Sequence, residues 1–292
     1  MYQRDKSIEN TRNRKDRTVL TIRSKKPEKL LAPDVAHSKE VKHLSLTLAT
    51  NNTEYECFCD IVNTDKEDEF EKCDCVNWWY TEEDLCKDLV HFTNLESLKL
   101  YDVNLDNSIY IELAKNSTCL KELRFEETYS GGYGGFLNLN GDENLTDMTT
   151  SSKKTGLEAM FKISTLRKVS FSYCTLNYFP IGPSNIEELT MRAVMTNMDK
   201  TDLMTKEDLK KIYIDFGKNL ITHQNLKIIK MEVQYSKKPY KFEHLKLENL
   251  EKLSHLTYEN AREDFDDKDY DVFTTLFKKT NLKSVWLNYL HR

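Results

Sequence analysis

Residues 92–100 read Phe-Thr-Asn-Leu-Glu-Ser-Leu-Lys-Leu, and five other stretches follow the same plan without a gap. They are Ser-Thr-Cys-Leu-Lys-Glu-Leu-Arg-Phe at 117–125, Ile-Ser-Thr-Leu-Arg-Lys-Val-Ser-Phe at 163–171 and Pro-Ser-Asn-Ile-Glu-Glu-Leu-Thr-Met at 183–191. The last two are His-Gln-Asn-Leu-Lys-Ile-Ile-Lys-Met at 223–231 and Lys-Thr-Asn-Leu-Lys-Ser-Val-Trp-Leu at 279–287. Each has a first apolar residue, a charged residue, a variable one, an apolar, a variable and an apolar. The bare apolar triplet recurs by chance in a chain of this length; the flanking agreement does not. Asn precedes the first apolar position at 94, 185, 225 and 281, and a small residue does so at Cys119 and Thr165. Weaker copies begin at Val41 and Leu253, the latter with a competing register from Leu250.

The pattern L-x-x-L-x-L resembles the leucine-rich repeat. First apolar positions at 41, 95, 120, 166, 186, 226, 253 and 282 give steps of 25, 27 and 29 residues, similar to the helix-bearing, ribonuclease-inhibitor-like and F-box-associated repeats. Steps of 54, 46 and 40 imply insertions or missing copies, and the step of 20 implies a unit poor in helix. The Asn that usually follows the triplet is replaced by Val103, Thr128, Cys174 and Val194, of which Cys174 fits the cysteine-bearing variety. The resemblance covers roughly residues 41–292 and implies an α/β horseshoe solenoid: a parallel sheet lining a concave face, helices outside. One unit cannot bury its own apolar face, so stacking must supply the core.

The connecting segments agree. Thr81-Glu-Glu-Asp84 is a capping-box-like start, followed by Leu85, Leu89 and Phe92 at helical spacing. Helical faces are also expected from Ile109, Ile111, Leu113 and Ala114, from Leu209, Ile212, Phe216 and Leu220, and from Val272, Phe273, Leu276 and Phe277. Thr18–Arg23 alternates and is placed to extend the first strand edge, as a cap. At the other end Trp286, Leu287, Tyr289 and Leu290 finish a strand whose open edge is an association hazard. Either His291-Arg292 suffices there or another molecule covers it.

Side chains alternate along a strand, so positions four and six of the motif point inward while three, five and seven face the concave side. Position five reads Ser45, Lys99, Arg124, Ser170, Thr190, Lys230, Thr257 and Trp286; position seven reads Thr47, Tyr101, Glu126, Ser172, Arg192, Glu232, Glu259 and Asn288. This mixed-sign surface is no uniformly basic groove, which weighs against a nucleic acid lying along it. Tyr, Trp and Arg are favoured anchors for protein partners. The candidate partner-binding set is Lys99, Tyr101, Arg124, Glu126, Arg192, Lys230 and Trp286; the bland alternative is ordinary solvated strand residues.

The 292 residues are 39% apolar and 31% charged, with 8 Gly and 5 Pro, which argues against both a turn-rich β-sandwich and a low-complexity chain. No apolar run approaches membrane-spanning length, and no apolar segment follows Met1–Lys6 as a secretory signal would require. Seven Cys are too few, and odd in number, for a disulfide scaffold. The expected compartment is reducing: cytoplasm, or nucleus. Net charge is −5, yet residues 1–26 carry nine Lys/Arg against three acids, leaving −11 on the remainder. This basic arm, with Arg12, Arg14, Lys15 and Arg17, could anchor the chain to RNA or a ribosome, or be a solvated terminus resting on its own acidic body. Residues 27–292 read as one repeat domain with insertions near 51–80 and 128–155.

The first insertion pairs Cys57 with Cys59 and Cys73 with Cys75. A hairpin centred on residue 66 would set Cys57 opposite Cys75 and Cys59 opposite Cys73, all on one face. Zinc is one reading, although C-x-C wraps a metal less readily than C-x-x-C; cross-strand disulfides and four buried thiols beneath Trp78 and Trp79 are the others. The second insertion holds five of the eight glycines, in Tyr129–Phe136 and at Gly141. It lacks the Lys of a phosphate-binding loop and reads as a surface loop on the binding side.

No catalytic motif is present: no G-x-S-x-G, H-E-x-x-H, Walker loop or Rossmann fingerprint. The seven His are scattered, and His43 and His255 fall on the concave side about six units apart. The expectation is a non-enzymatic, cofactor-free scaffold that binds a protein and no membrane. Two alternatives stand beside it: a ribonucleoprotein accessory factor held by the basic arm, and a ubiquitin-ligase-type adaptor, against which the absence of an F-box-like pattern in residues 1–40 counts.

Overall fold

In every block the strand begins two residues after the first apolar position, and that position sits in a turn. A computed structural model describes residues 8–12, 19–24, 35–48, 89, 91–101, 107–126, 137–138, 155–176, 178–192, 206–233, 242–260, 267–279 and 281–289. The strands are β1 (Ile8–Arg12), β2 (Val19–Ser24), β3 (His43–Leu48), β4 (Ser97–Tyr101), β5 (Glu122–Glu126), β6 (Leu137–Asn138), β7 (Lys168–Ser172), β8 (Cys174–Thr175), β9 (Glu188–Arg192), β10 (Ile228–Val233), β11 (His255–Asn260) and β12 (Ser284–Tyr289). The helices are α1 (Asn107–Asn116), α2 (Thr155–Phe161), α3 (Lys206–Leu220), α4 (Phe242–Leu245) and α5 (Asp267–Phe277), with 3₁₀ turns at Val35–Glu40 and Leu247–Asn249.

One ten-stranded sheet runs β1-β2-β3-β4-β5-β7-β9-β10-β11-β12, parallel throughout except where β1 folds back antiparallel on β2. The eight strands that carry the triplets align position for position. Leu44, Leu98, Leu123, Val169, Leu189, Ile229, Leu256 and Val285 form one row across the sheet, and Leu46, Leu100, Phe125, Phe171, Met191, Met231, Tyr258 and Leu287 the next. Two backbone devices hold this register. The N–H of Val41, Leu166, Leu226, Leu253 and Leu282 each donates to the carbonyl three residues earlier, closing the turn. The next carbonyl then takes two bonds from the neighbouring unit: Lys121 O accepts from Arg167 N and Lys168 N, and Lys227 O accepts from Ser254 N and His255 N.

The Asn before the first apolar residue has the same bridging role. Asn94, Asn185, Asn225 and Asn281 each donate a side-chain N–H to a carbonyl of the preceding unit, those of Lys39, Ser164, Ser184 and Glu251, at 2.8–3.1 Å. Every acceptor lies two residues before that unit's first apolar position. Each bond gives a partner to a backbone carbonyl that lies outside the sheet ladder, and the Ser164 carbonyl also accepts from Arg167 at 2.7 Å.

All described helices lie on the side to which motif positions four and six point. The packed cluster joins those strand residues to Tyr110 and Leu113 of α1, Leu157, Met160 and Phe161 of α2, Ile212, Tyr213, Phe216 and Leu220 of α3, and Phe273 and Leu276 of α5. The sequence face assigned to α1 is rotated: Tyr110 turns inward and Ile111 is only half-buried, because Tyr110 meets Phe125 edge-to-face at 5.9 Å. Helix α5 starts at Asp267, and Phe277, expected inside, is 61% exposed. α3 approaches the end of α4 so closely that a Cβ at Gly217 would stand 1.9 Å from the His244 carbonyl oxygen; only glycine fits.

The 20-residue step between the Leu166 and Ile186 units carries no helix in its described residues. Aromatic packing fills that layer instead. Phe161 stacks near Phe171, Phe179 meets Phe161 edge-on at 5.4 Å, and Phe216 closes on Phe179 at 4.9 Å. After β7 the chain turns through Tyr173 in the left-handed region (φ 55°) into β8, which pairs with β6. Ser172, the last residue of β7, pairs in register between Glu126 and Arg192 yet is only 3% exposed, so it is not open to solvent as expected. The Cys174 thiol donates to the Ser172 carbonyl at 3.2 Å, with the Phe125 carbonyl at 3.9 Å.

At the amino end, β2 extends the sheet beside β3, as the alternation of 18–23 implies, and β1 with Arg12 pairs on it as a hairpin. Residues 8–12 of the basic arm therefore belong to the sheet. Arg14, Lys15 and Arg17, the four paired cysteines, most of both insertions and the capping-box-like segment at 81–84 lie outside the described residues.

Candidate interaction face

The helices occupy one face of the sheet, and no described element crosses the other. On that face and at motif position two, just before each strand, the charged side chains are ordered by their position along the chain.

At the strand starts, single carboxylates sit between two cations on neighbouring strands. Glu96 takes Lys42 at 2.9 Å and Lys121 at 2.6 Å. Glu187 takes Lys227 at 2.8 Å, with Arg167 further off at 3.8 Å. Glu188 takes Lys230 at 2.8 Å and Lys168 at 3.2 Å. The hydrogen bond from Lys121, then that from Lys42, pulls the Glu96 carboxyl down to about 2, and Lys42 is raised in turn by Glu96. Lys227 lowers Glu187 against a smaller effect of burial. For Glu188 burial pushes upward, but the bonds from Lys230 and Lys168 outweigh it and leave the group below its ordinary range. All three carboxylates are thus ionised at neutral pH, and each triad carries a surplus positive charge. Exposed pairs of this kind add little to stability, because water and salt screen them. Their larger effect is to hold long lysine side chains in fixed places.

At the strand ends the balance reverses. Tyr101, Glu126, Arg192, Glu232 and Glu259 occupy this row, with three acids to one Arg. Arg124 reaches Glu126 at 2.5 Å and lies over the Tyr101 ring at 6.0 Å. Arg192 bonds Glu232 at 2.8 Å and lies over Tyr173 at 5.6 Å. The face therefore runs from basic at the strand starts to acidic at their ends.

Of the seven residues picked from sequence, Lys99, Tyr101, Arg124 and Glu126 are adjacent on β4 and β5. Arg192 and Lys230 sit on β9 and β10, each already paired to a glutamate. Trp286 is isolated on β12, five strand spacings from Arg124, about 24 Å at the usual inter-strand distance. Sequence reasoning identified the charged residues but not the triads, because the partners lie 20–54 residues apart. Position two of the motif, where Lys42, Glu96, Lys121, Arg167, Glu187 and Lys227 stand, sets each of its two acids between basic copies and is the available signal for the first two triads.

One buried polar pair went unnoticed in the sequence. His223 is 1% exposed and Ser184 7%. His223 Nε2 lies 2.8 Å from the Pro180 carbonyl, which only accepts, so that nitrogen carries the proton. Nδ1 then accepts the Ser184 hydroxyl at 2.7 Å. Burial among Phe161 and Phe179 pushes the His223 pKa down, against a smaller upward effect of the Pro180 bond. A serine beside a histidine invites comparison with a nucleophile and its base. Here the far nitrogen is bound to a carbonyl rather than a carboxylate, and both groups are sealed in the core. The pair locks two units together.

Among the described residues no group of three or more His, Cys, Asp or Glu is placed to hold a metal ion. The zinc reading rested on Cys57, Cys59, Cys73 and Cys75, which lie outside those residues. Among the described residues, no helix is long and apolar enough to cross a membrane. No protein-family model matches the chain, and no curated protein matches it.

Proposed function

We propose that this protein is a non-catalytic scaffold of the leucine-rich-repeat kind, and that its open sheet face docks a protein partner. The observation that carries the reading is the one-sidedness of the sheet. Eight aligned strands put their apolar rows into a closed core and leave a broad charged face with no described element on it. A structure-only role would need no such face, and the alignment of the apolar triplets supports the horseshoe architecture. Tyr101 and Arg124 form a flat, partly ordered anchor that costs little side-chain entropy to immobilise. The basic triads at the strand starts favour an acidic stretch of the partner on that side. Their interposed carboxylates disfavour an unbroken line of phosphates.

The test is affinity capture from the native source with wild-type protein and with the combined Tyr101→Ala and Arg124→Ala variant, identified by mass spectrometry. A protein captured by wild type and lost from the variant, with unchanged thermal unfolding, is the expected result. Undiminished capture by the variant sinks the assignment to this face. Salt-sensitive RNA retention that disappears on deleting residues 1–26 would instead favour the ribonucleoprotein reading, and co-purification of a ligase adaptor the third.

A further inference from the structure

The apolar triplets are buried to the same degree in seven units and not in the eighth. From the Val41 unit to the Leu253 unit, the residues at positions one, four and six are at most 3% exposed. In the last unit Leu282, Val285 and Leu287 pack against the core but stay partly exposed. Among the described residues, two of the three large apolar side chains most exposed to solvent, Trp286 at 60% and Phe277 at 61%, belong to the same end. β12 pairs only with β11 among the described strands, so its outer row of backbone groups has no described strand beside it.

Edges are normally blunted by charge or proline. The opposite edge obeys this: β1 carries Glu9 and Arg12. β12, Ser-Val-Trp-Leu-Asn-Tyr, has neither charge nor proline. It also matches itself. Antiparallel pairing centred on Trp286 sets Val285 against the partner's Leu287 and Ser284 against the partner's Asn288, with the two Trp286 rings side by side on the open face. Shifting the centre to Val285 instead brings Lys283 against the partner's Leu287. Only the Trp286-centred register opposes apolar to apolar, polar to polar and aromatic to aromatic.

We propose that β12 is a self-complementary edge through which two copies of this chain pair antiparallel about a two-fold axis at Trp286, joining their sheets into one. A two-fold contact of this kind is isologous and closes, so it stops at a dimer. The axis runs perpendicular to the sheet, so both sets of helices stay on one side and the half-covered Val285 of each copy meets the partner's Leu287 across the seam. The second copy supplies what the last unit lacks.

Sedimentation velocity of the full chain over a wide concentration range tests this. Wild type is expected to show a concentration-dependent dimer. Trp286→Lys places two like charges face to face at the axis and should weaken the dimer at least ten-fold, whereas Trp286→Phe and the control Ile181→Lys should leave it intact. Because Trp286 is exposed, Trp286→Lys should keep the wild-type unfolding temperature of the isolated protomer. Tyr101→Ala with Arg124→Ala should leave the dimer unchanged, which separates this edge from the partner-docking face. A wild-type chain that is monomeric at every concentration overturns the proposal, as does a dimer indifferent to Trp286→Lys.

Discussion

The two faces of this sheet are built by opposite rules. On the core face the residues are interchangeable hydrophobes: Leu, Val, Ile, Phe, Met and Tyr follow one another along two rows, and what matters is volume. On the open face the residues are individuals, and each charge takes its meaning from a named neighbour on the next strand. The core face makes the fold and tolerates exchange within a size class. The open face adds little to stability and is where specificity can reside.

The sharpest way to break that contrast is to mutate neighbours on one strand. Phe171→Ala removes a ring stacked 5.3 Å from Phe125 and is expected to cost about 3–5 kcal/mol. Ser170→Ala, one residue away on the open face, should stay within about 0.5 kcal/mol. Equal losses in chemical denaturation would mean the faces do not differ as described.

The Ser184–His223 pair tests whether the core face admits polar groups on equal terms. Its histidine is held neutral, below the usual value of 6.5. A group so depressed binds more protons unfolded than folded, so stability is full above 6.5 and falls as pH drops below it. Urea unfolding at pH 7.5 and 5.5 should show this loss in wild type. His223→Gln should be less stable at pH 7.5, by about 1–3 kcal/mol for the broken buried pair, but with a flatter pH dependence. An equal pH dependence in the two proteins would remove His223 from the account.

Smaller effects sharpen the boundary between the faces. Asn225→Ala frees the Ser184 carbonyl and should cost about 1 kcal/mol. The same change at Asn219, which bonds the Phe179 carbonyl from α3, measures whether inter-unit bridges matter more than helix-to-loop ones. The least perturbing test is an NMR titration of Glu96. Its carboxyl should titrate near 2 with both lysines present and return toward 4.5 in Lys121→Ala. Unfolding temperature at neutral pH should hardly move.

Much of this architecture is legible in the chain. The triplets at 95, 98 and 100, and their counterparts, announce strands whose inward residues alternate, and the shared flanks announce that the strands are equivalent. The helical faces at 212, 216 and 220 and at 273 and 276 follow from spacing. The failures are equally local in cause. Alternation places Ser172 on the open face but does not reveal that it is covered there. Ile111 and Phe277 were assigned inside because an apolar residue on a helix does not reveal which neighbour it will find. The Asn before four of the eight triplets is visible as a regularity, but its acceptor sits 21–55 residues away.

Read alone, the sequence determined the number, order and inward face of the triplet strands, because side-chain alternation along a strand is set by the backbone within a few residues. Only the tertiary structure decided which carboxylate sits between which cations, that His223 finds Ser184, and that the last unit is left half-covered. Those relations depend on through-space distances between segments separated by connections of unequal length, and no local rule along the chain carries that information.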